Sequence, residues 1–307
     1  MNIESFIQYG TEVKIALKAG EPLVALESTV ITHGLPYPQN VETAVLMETA
    51  VREGGAIPAT IGIIQGEIII GLSAEQMDYL GQQAGKDTAR KCSRRDLPLV
   101  VAQGGDGSTT VAGTMILAHL AGIEIFATGG IGGVHRGHPF DISADLSELG
   151  RTPVSVVSSG AKSILDLPAT REVLETQGVT IIGFGTDELP AFYARSSGLA
   201  VDQRLDKPEE VAAVIRARRD LQLQSGLLVT VPVPEESAMD PQEAEEAIEQ
   251  ATAEADEAGI FGTASTPWLL RRMVELTNGR SMRANIALLR NNSITAAQIA
   301  VALTTKH

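Results

Sequence analysis

The chain is most easily bounded by what it has little of. One cysteine among 307 residues, Cys92, leaves no pair for a disulfide and no cysteine-rich metal site. Aromatics make up only 4%, with a single tryptophan. The sequence shows no continuous apolar run near the roughly 18 residues that a bilayer-spanning helix needs, so no membrane partner is expected. Basic residues are also short, 24 Lys and Arg against 38 Asp and Glu, for a net charge of −14. That argues against a surface built for nucleic-acid polymers. Met1 to Gly20 carries Glu4, Glu12, Lys14 and Lys18, which leaves no apolar stretch for a signal peptide. A cytoplasmic protein is the expectation.

The acid is unevenly placed. Ten acidic residues fall between Glu235 and Glu257 with no lysine or arginine among them, so the rest of the chain carries −4 of the −14. A solvated helix face is the plain reading of that stretch.

An apolar content of 44% excludes a disordered chain. The pattern alternates strand and helix. Glu4 to Lys18 reads as a helix stopped at Gly20, Leu23 to Ile31 as a strand, and Asn40 to Arg52 as a helix capped by Asn40 and ended by Gly54-Gly55. Ile57–Ile64 and Glu67–Leu72 read as a hairpin turning at Gln65-Gly66, and Ser73 with Gln76 as a capping box. Leu97–Ala102, Ile123–Ala127, Val154–Val157, Val179–Phe184 and Leu227–Val231 are short apolar strands. Helices are expected after them, over Thr109–Leu120, from Lys162 through Leu165, and from Pro267 onward. This predicts one α/β domain over residues 1–307, a three-layer α/β/α sandwich with a mostly parallel, mixed central sheet. Sites in such sheets form outside the carboxyl ends of the strands.

The loops expected there are chemically dense. Gly104-Gly105-Asp106-Gly107-Ser108-Thr109-Thr110 offers backbone N–H groups to an anion, or is simply a tight turn; it matches neither nucleotide-binding glycine pattern. Thr128 to Gly133 holds four glycines and runs into His135, Arg136, His138, Asp141 and Asp145. Ser143 is placed to cap a helix over Ala144–Leu149, which puts Asp145 in a first turn, where the helix dipole alone would account for it. Asp141 lies outside that turn and suits a hard divalent cation as an oxygen ligand. Lys162, following Ser158-Ser159-Gly160 and opening a helix, is a candidate Schiff-base nucleophile. A phosphate-binding lysine at a helix start is the competing reading. Lys91, in Arg90-Lys91-Cys92-Ser93-Arg94-Arg95, fits an anionic partner. Glu27 interrupts an apolar strand, so it is either an acid–base group lifted by burial or a buried partner of an arginine.

Taken in order, several segments resemble one family. They are Ala25–Gly34, Lys91–Leu97, Ala127–Gly137, Phe140–Leu146, Gly160–Asp166, Thr266-Pro267 and Ala284–Leu288. The resemblance is to the pseudouridine-5′-phosphate glycosidases, also called the indigoidine synthase A-like group. It implies reversible cleavage of the C–C glycosidic bond of pseudouridine 5′-phosphate to uracil and ribose 5-phosphate, one divalent cation, usually manganese, and a homotrimer. It implies a covalent sugar adduct on Lys162, proton transfer by Glu27 and metal binding by Asp141. It places Lys91, Val111, Ser143, Ala144 and Asp145 against the substrate. His135 and Asn285 match pocket positions on the uracil side, and Thr110 and Thr128 lie in the matching loops. A nucleotide-dependent sugar kinase and a non-catalytic nucleotide sensor are rival classes. The first would need ATP, and the second leaves Glu27 and Lys162 without work.

Overall fold

The computed structural model describes residues 6–86, 88–260, 262 and 265–305. In chain order it holds β1 (Ile7–Tyr9), α1 (Thr11–Ala19), β2 (Leu23–Leu26), α2 (Gln39–Glu53), β3 (Ile57–Ile64), β4 (Glu67–Ile70) and α3 (Ala74–Gly81). Then come β5 (Ala89–Cys92), α4 (Leu97–Ala102), β6 (Asp106–Thr109), α5 (Val111–Leu120), β7 (Ile125–Ala127), β8 (Val134–His135), β9 (His138–Ile142) and α6 (Ala144–Leu149). The remainder is β10 (Ser155–Ser158), β11 (Leu165–Asp166), α7 (Leu167–Thr176), β12 (Thr180–Phe184), β13 (Gln203–Leu205), α8 (Pro208–Asp220), β14 (Leu227–Thr230), α9 (Pro241–Glu257), α10 (Ser265–Leu276) and α11 (Arg280–Thr304).

The main sheet runs β1-β4-β3-β2-β7-β10-β14-β12-β13, with β6 joined to β3 and β5 to β6. Pairing is parallel from β3 through to β13, and antiparallel where β3 meets β4 and β6. The central strands β2, β7, β10 and β14 are buried along their whole length, as expected of strands covered on both faces. Helix α11 packs on α2, α8, β7 and β10, while α5 packs on β3, β6, β7 and α6. The mixed α/β/α sandwich is therefore as the alternation predicts. The hairpin is also where the sequence puts it. Gln65 and Gly66 both take left-handed conformations, φ 52° and 79°, the signature of the tight turn that matches strand twist. Ser73 and Gln76 form the reciprocal capping box.

Several boundaries differ. Leu97–Ala102 is helix α4, not a strand; Pro98 in its first turn favours a helix start and cannot donate to a sheet ladder. The sheet position is taken by β5 and β6, so most of the glycine-rich 104–110 segment is strand rather than an anion-binding loop. Strand β2 ends at Leu26, and Val30–Gly34 forms a π-helical turn. Asn40 lies inside α2 rather than at its N-cap: its Oδ1 accepts the next N–H, of Val41, at 2.8 Å, and its buried amide donates to the carbonyls of Ile31 and, at 3.0 Å, Gly81. The first helix begins at Thr11 and ends on left-handed Gly20, preceded by β1; Glu4 and its neighbours to Ser5 lie outside the described residues. No helix opens at Lys162: the segment to Leu165 is irregular and α7 begins only at Leu167.

Helix α11 also qualifies what the sequence suggested about membranes. It has 25 residues, and 18 of them reach a mean hydropathy of 1.2, enough by length and composition to cross a bilayer, yet over half of that window is buried in the fold. It serves here as a core helix.

Candidate active site

A cavity of about 840 Å³ opens at the carboxyl ends of β2, β7 and β10, where the switch of strand order in an α/β sheet leaves room for ligands. All twelve candidate residues line it: Glu27, Lys91, Thr110, Val111, Thr128, His135, Asp141, Ser143, Ala144, Asp145, Lys162 and Asn285. They come from seven separate stretches of chain.

Glu27 stands one residue past β2, not within it, and is buried. The hydroxyls of Thr29 and Thr128 donate to its two carboxylate oxygens. Among the described residues no arginine pairs with it, which removes the structural ion-pair reading. Burial pushes its carboxyl above the ordinary range, opposed by the charge of Lys162, the Thr128 hydrogen bond and the charge of Lys91, and helped by Asp145. A carboxyl lifted in this way keeps its proton to higher pH than a free one does, which suits a proton carrier.

Lys162 lies in the irregular segment after β10. Its Nζ donates to the Gly130 carbonyl at 2.8 Å and its backbone N–H to Ile131 at 3.1 Å. With no helix beginning there, the dipole argument from sequence does not apply. What sets Lys162 apart is its place: a half-buried amine in the same cavity as a buried carboxyl. Lys91, on β5, is held below its usual range by burial first and then by the neighbouring charge of Lys162. Two amines and one lifted carboxyl thus share one low-dielectric space, the pattern that marks functional sites.

Ser143 caps α6 as expected, its hydroxyl accepting from the Asp145 N–H at 3.2 Å. Asp145 does more than sit in a first turn. Its carboxylate accepts the N–H of Ala112, in the first turn of α5, at 2.9 Å, and the N–H of Gly132 at 2.8 Å. It therefore pins two cavity walls together, with Thr110 capping α5 beside it. Gly132 is required by the closeness of this arrangement. A Cβ there would lie 2.3 Å from Ser143 Oγ and 2.9 Å from Asp145 Oδ2. Gly132→Ala is expected to destabilise by about 1–3 kcal/mol through overpacking and to depress turnover, read by thermal melting and assay of the same sample. An unchanged melting temperature would contradict the close approach.

His135 closes the β8 edge and Asp141 sits on β9 opposite. Burial draws His135 below its usual value, against the pull of Asp141. Among the described residues no three His, Cys, Asp or Glu side chains gather as a metal cage. A lone carboxylate at the cavity, Asp141, is a hard oxygen donor of the kind a hydrated divalent cation takes and is not the ligand set of a zinc site.

Sequence reasoning did not single out several residues of the site. Arg94 and Arg151 reach the cavity rim because buried Glu148 accepts from both, from Arg94 Nε at 2.9 Å and Arg151 Nη2 at 3.1 Å. Asn292 of α11 donates to the Thr128 carbonyl at 2.9 Å and to Ser159 Oγ at 3.2 Å, tying together the loops that follow β7 and β10. Phe192, at φ 60°, lines the cavity and packs edge-on to Tyr193 with ring centroids 4.8 Å apart. Of these only Arg94, in the basic run around Lys91, carried a sequence signal; Arg151, Asn292 and Phe192 carried none. Cys92, buried with its thiol pushed up to about 12 by burial, is a packing residue.

The acidic stretch is less free than a solvated face would be. From α9, Glu243 pairs with Arg280, Glu245 with Arg136 and Glu254 with Arg272.

An α/β sandwich with two amines and a lifted carboxyl lining one cavity at the strand ends defines an enzyme acting on a small molecule. The chain belongs to the family of indigoidine synthase A-like proteins, whose family model matches residues 12–302. A pseudouridine-5′-phosphate glycosidase of Hahella chejuensis is 53% identical over 300 residues, 97% of this chain and 98% of the relative. One from Caldanaerobacter subterraneus is 55% identical over 300 residues, covering 97% of each. Two solved structures share the fold at 39% identity. An indigoidine synthase A-like protein of Thermotoga maritima has a TM-score of 0.88 and covers 98% of this chain and 97% of its own. The prealnumycin C-glycosynthase AlnA in complex with ribulose 5-phosphate has a TM-score of 0.89 and covers 97% of both chains.

Proposed function

We propose that the chain is a pseudouridine 5′-phosphate glycosidase that reversibly converts its substrate to uracil and ribose 5-phosphate, acting as a homotrimer with one manganese ion per subunit. The observation that carries this reading is the meeting of Glu27 and Lys162 in one cavity, in a chain more than half identical to relatives bearing that name. A C–C glycosidic bond has no leaving oxygen to protonate, so paired-carboxylate hydrolysis does not suit it; an amine and one proton carrier do.

In the proposed course Lys162 adds to C1′ as the C1′–O4′ bond breaks, and Glu27 gives its proton to the ring oxygen. The C1′–C5 bond then breaks, its electron pair staying with uracil C5, which takes up a proton moved by Glu27. The lysine is left as an iminium of the open sugar. Water hydrolyses that iminium, releasing ribose 5-phosphate and the free amine. Lys91, Val111 and the Ser143-Ala144-Asp145 turn would hold the substrate, with the Lys91 ammonium offering charge to its phosphate. Thr110 and Thr128 shape the wall beside Glu27, and His135 and Asn285 would face the base. Asp141 would hold the cation, which when bound supplies positive charge to substrate oxygens.

The test is ultraviolet detection of C–C bond formation from uracil and ribose 5-phosphate without nucleotide, with and without Mn²⁺. Absence of product under both conditions overturns the reading, and a requirement for ATP would favour a kinase. Asp141→Asn is expected to raise the Mn²⁺ concentration needed for half-maximal rate by about 10-fold or more, with EDTA abolishing wild-type turnover and Mn²⁺ restoring it. Full activity after EDTA would remove the metal from the scheme.

A further inference from the structure

We propose that Arg136 is the positioning residue for Lys162, and that Glu245 of the acidic helix α9 holds Arg136 in place for that task; the inference rests on the glycosidase reading. The segment that carries Lys162 has no regular structure of its own between the bridge at Ala161 and strand β11. One side is fixed by the Lys162 N–H to Ile131 O and by Nζ to Gly130 O. On the other side Leu165 is held by the pairing of β11 with β8 and by its N–H to the Lys162 carbonyl at 3.0 Å, and among the described residues one guanidinium binds the carbonyls of the segment itself. Arg136 Nη2 donates to the Ser163 carbonyl at 3.0 Å and Nε to the Leu165 carbonyl at 3.2 Å, one and three residues beyond the lysine. Its outer edge forks onto Glu245, with Nη1 to Oε1 and Nη2 to Oε2, the latter at 3.1 Å. The side chain is mostly buried.

Only arginine has planar donors enough to bind two carbonyls and a carboxylate together, and lysine lacks the fork. The carboxylate also matters for charge. Without it, a bare guanidinium would sit beside the segment that must present an amine. Helix α9 is itself anchored, by Glu254 to Arg272 of α10 and by Glu243 to Arg280 of α11. The run of acid from Glu235 to Glu257 thereby gains a role the charge pattern did not suggest: it braces the reactive segment from outside the cavity. Small displacements of a reacting group carry large rate penalties, about 100-fold for 1 Å.

Arg136→Gln, Arg136→Lys, Glu245→Gln and Glu245→Asp test this, with kcat and KM for pseudouridine 5′-phosphate measured separately. Hydrogen exchange of residues 160–166 is followed in the same proteins. Arg136→Gln and Arg136→Lys are expected to lower kcat about 10- to 100-fold and Glu245→Gln about 3- to 10-fold, with KM within about threefold. Glu245→Asp should recover most of the Glu245→Gln loss. The Lys162 and Leu165 amides should exchange faster in each impaired variant. Unchanged exchange, unchanged kcat, or a rise in KM with kcat intact overturns the proposal. If Arg136→Gln does not fold, the two variants of half-exposed Glu245 decide it alone. A wild-type protein inert toward the phosphate ester, with exchange still faster in the variants, overturns the glycosidase reading and leaves the brace standing.

Discussion

Lys162→Arg is expected to abolish turnover, lowering kcat/KM by about 10³-fold or more, while ribose 5-phosphate still binds. Arginine keeps the positive charge but cannot form an imine, so the variant separates two roles a lysine can have beside a sugar phosphate. If Lys162 only neutralised phosphate, Lys162→Arg would keep much of its activity. The wild-type protein incubated with ribose 5-phosphate and borohydride should carry one reduced sugar phosphate on Lys162, found by peptide mass spectrometry. An adduct on Lys91, the other amine in the cavity, or none at all, refutes the assignment. The fold cost should be small. The amine donates to the Gly130 carbonyl at 2.8 Å, and the backbone of the segment is held by other groups.

Glu27→Gln is expected to cost about 10²- to 10⁴-fold in kcat and, unusually for an active-site substitution in a buried position, to raise stability at neutral and alkaline pH. The sign follows from burial. Glu27's carboxyl is held above its ordinary value of 4.5 mainly by desolvation. Above 4.5 the unfolded chain gives up that proton while the folded chain retains it. The stability contributed by Glu27 is therefore fully present below about 4.5 and is lost as pH rises through the raised folded value. Glutamine never charges, so the melting temperature of Glu27→Gln relative to wild type should climb between pH 5 and pH 8. A difference that stays flat, or falls with pH, would mean that the ionised carboxylate is comfortable where it is. Of the two threonine hydroxyls that donate to Glu27, one can still donate to glutamine's carbonyl and the other can turn to accept from its amide N–H, which keeps the substitution close to isosteric.

Both experiments depend on residues far apart in the chain, and that distance marks where sequence reading ended. The strand–helix alternation and the hairpin at Gln65-Gly66 follow from local rules of periodicity and turn chemistry. So do the capping box at Ser73 and the helix cap at Ser143. Where an apolar run met a competing signal, local reading failed. Leu97–Ala102 looks like a strand by hydrophobicity and folds as a helix because Pro98 starts one and because β5 and β6 occupy the sheet. The helix assigned from Lys162 to Leu165 failed for the opposite reason. That segment makes one turn bond of its own and is otherwise shaped by Arg136, the Ile131 backbone and the pairing of β11 with β8.

The candidate site divides in the same way. The sequence alone singled out the candidate residues, because an acid directly after an apolar strand and a lysine after a glycine turn are anomalies whatever the fold. Their resemblance to a family supplied their proposed roles. It could not show that Thr128, 101 residues on, would donate to Glu27. Nor could it show that Asp145 would hold Ala112 and Gly132 with one carboxylate, or that Asn292 would tie Thr128 to Ser159. Still less could a run of ten acids announce that Glu245 would reach back 109 residues to Arg136. Local chemistry is written residue by residue, so sequence determined which groups this protein has to work with. Burial, hydrogen-bond partners and the lifted carboxyl arise only when distant segments exclude water together, and those were decided by the tertiary structure.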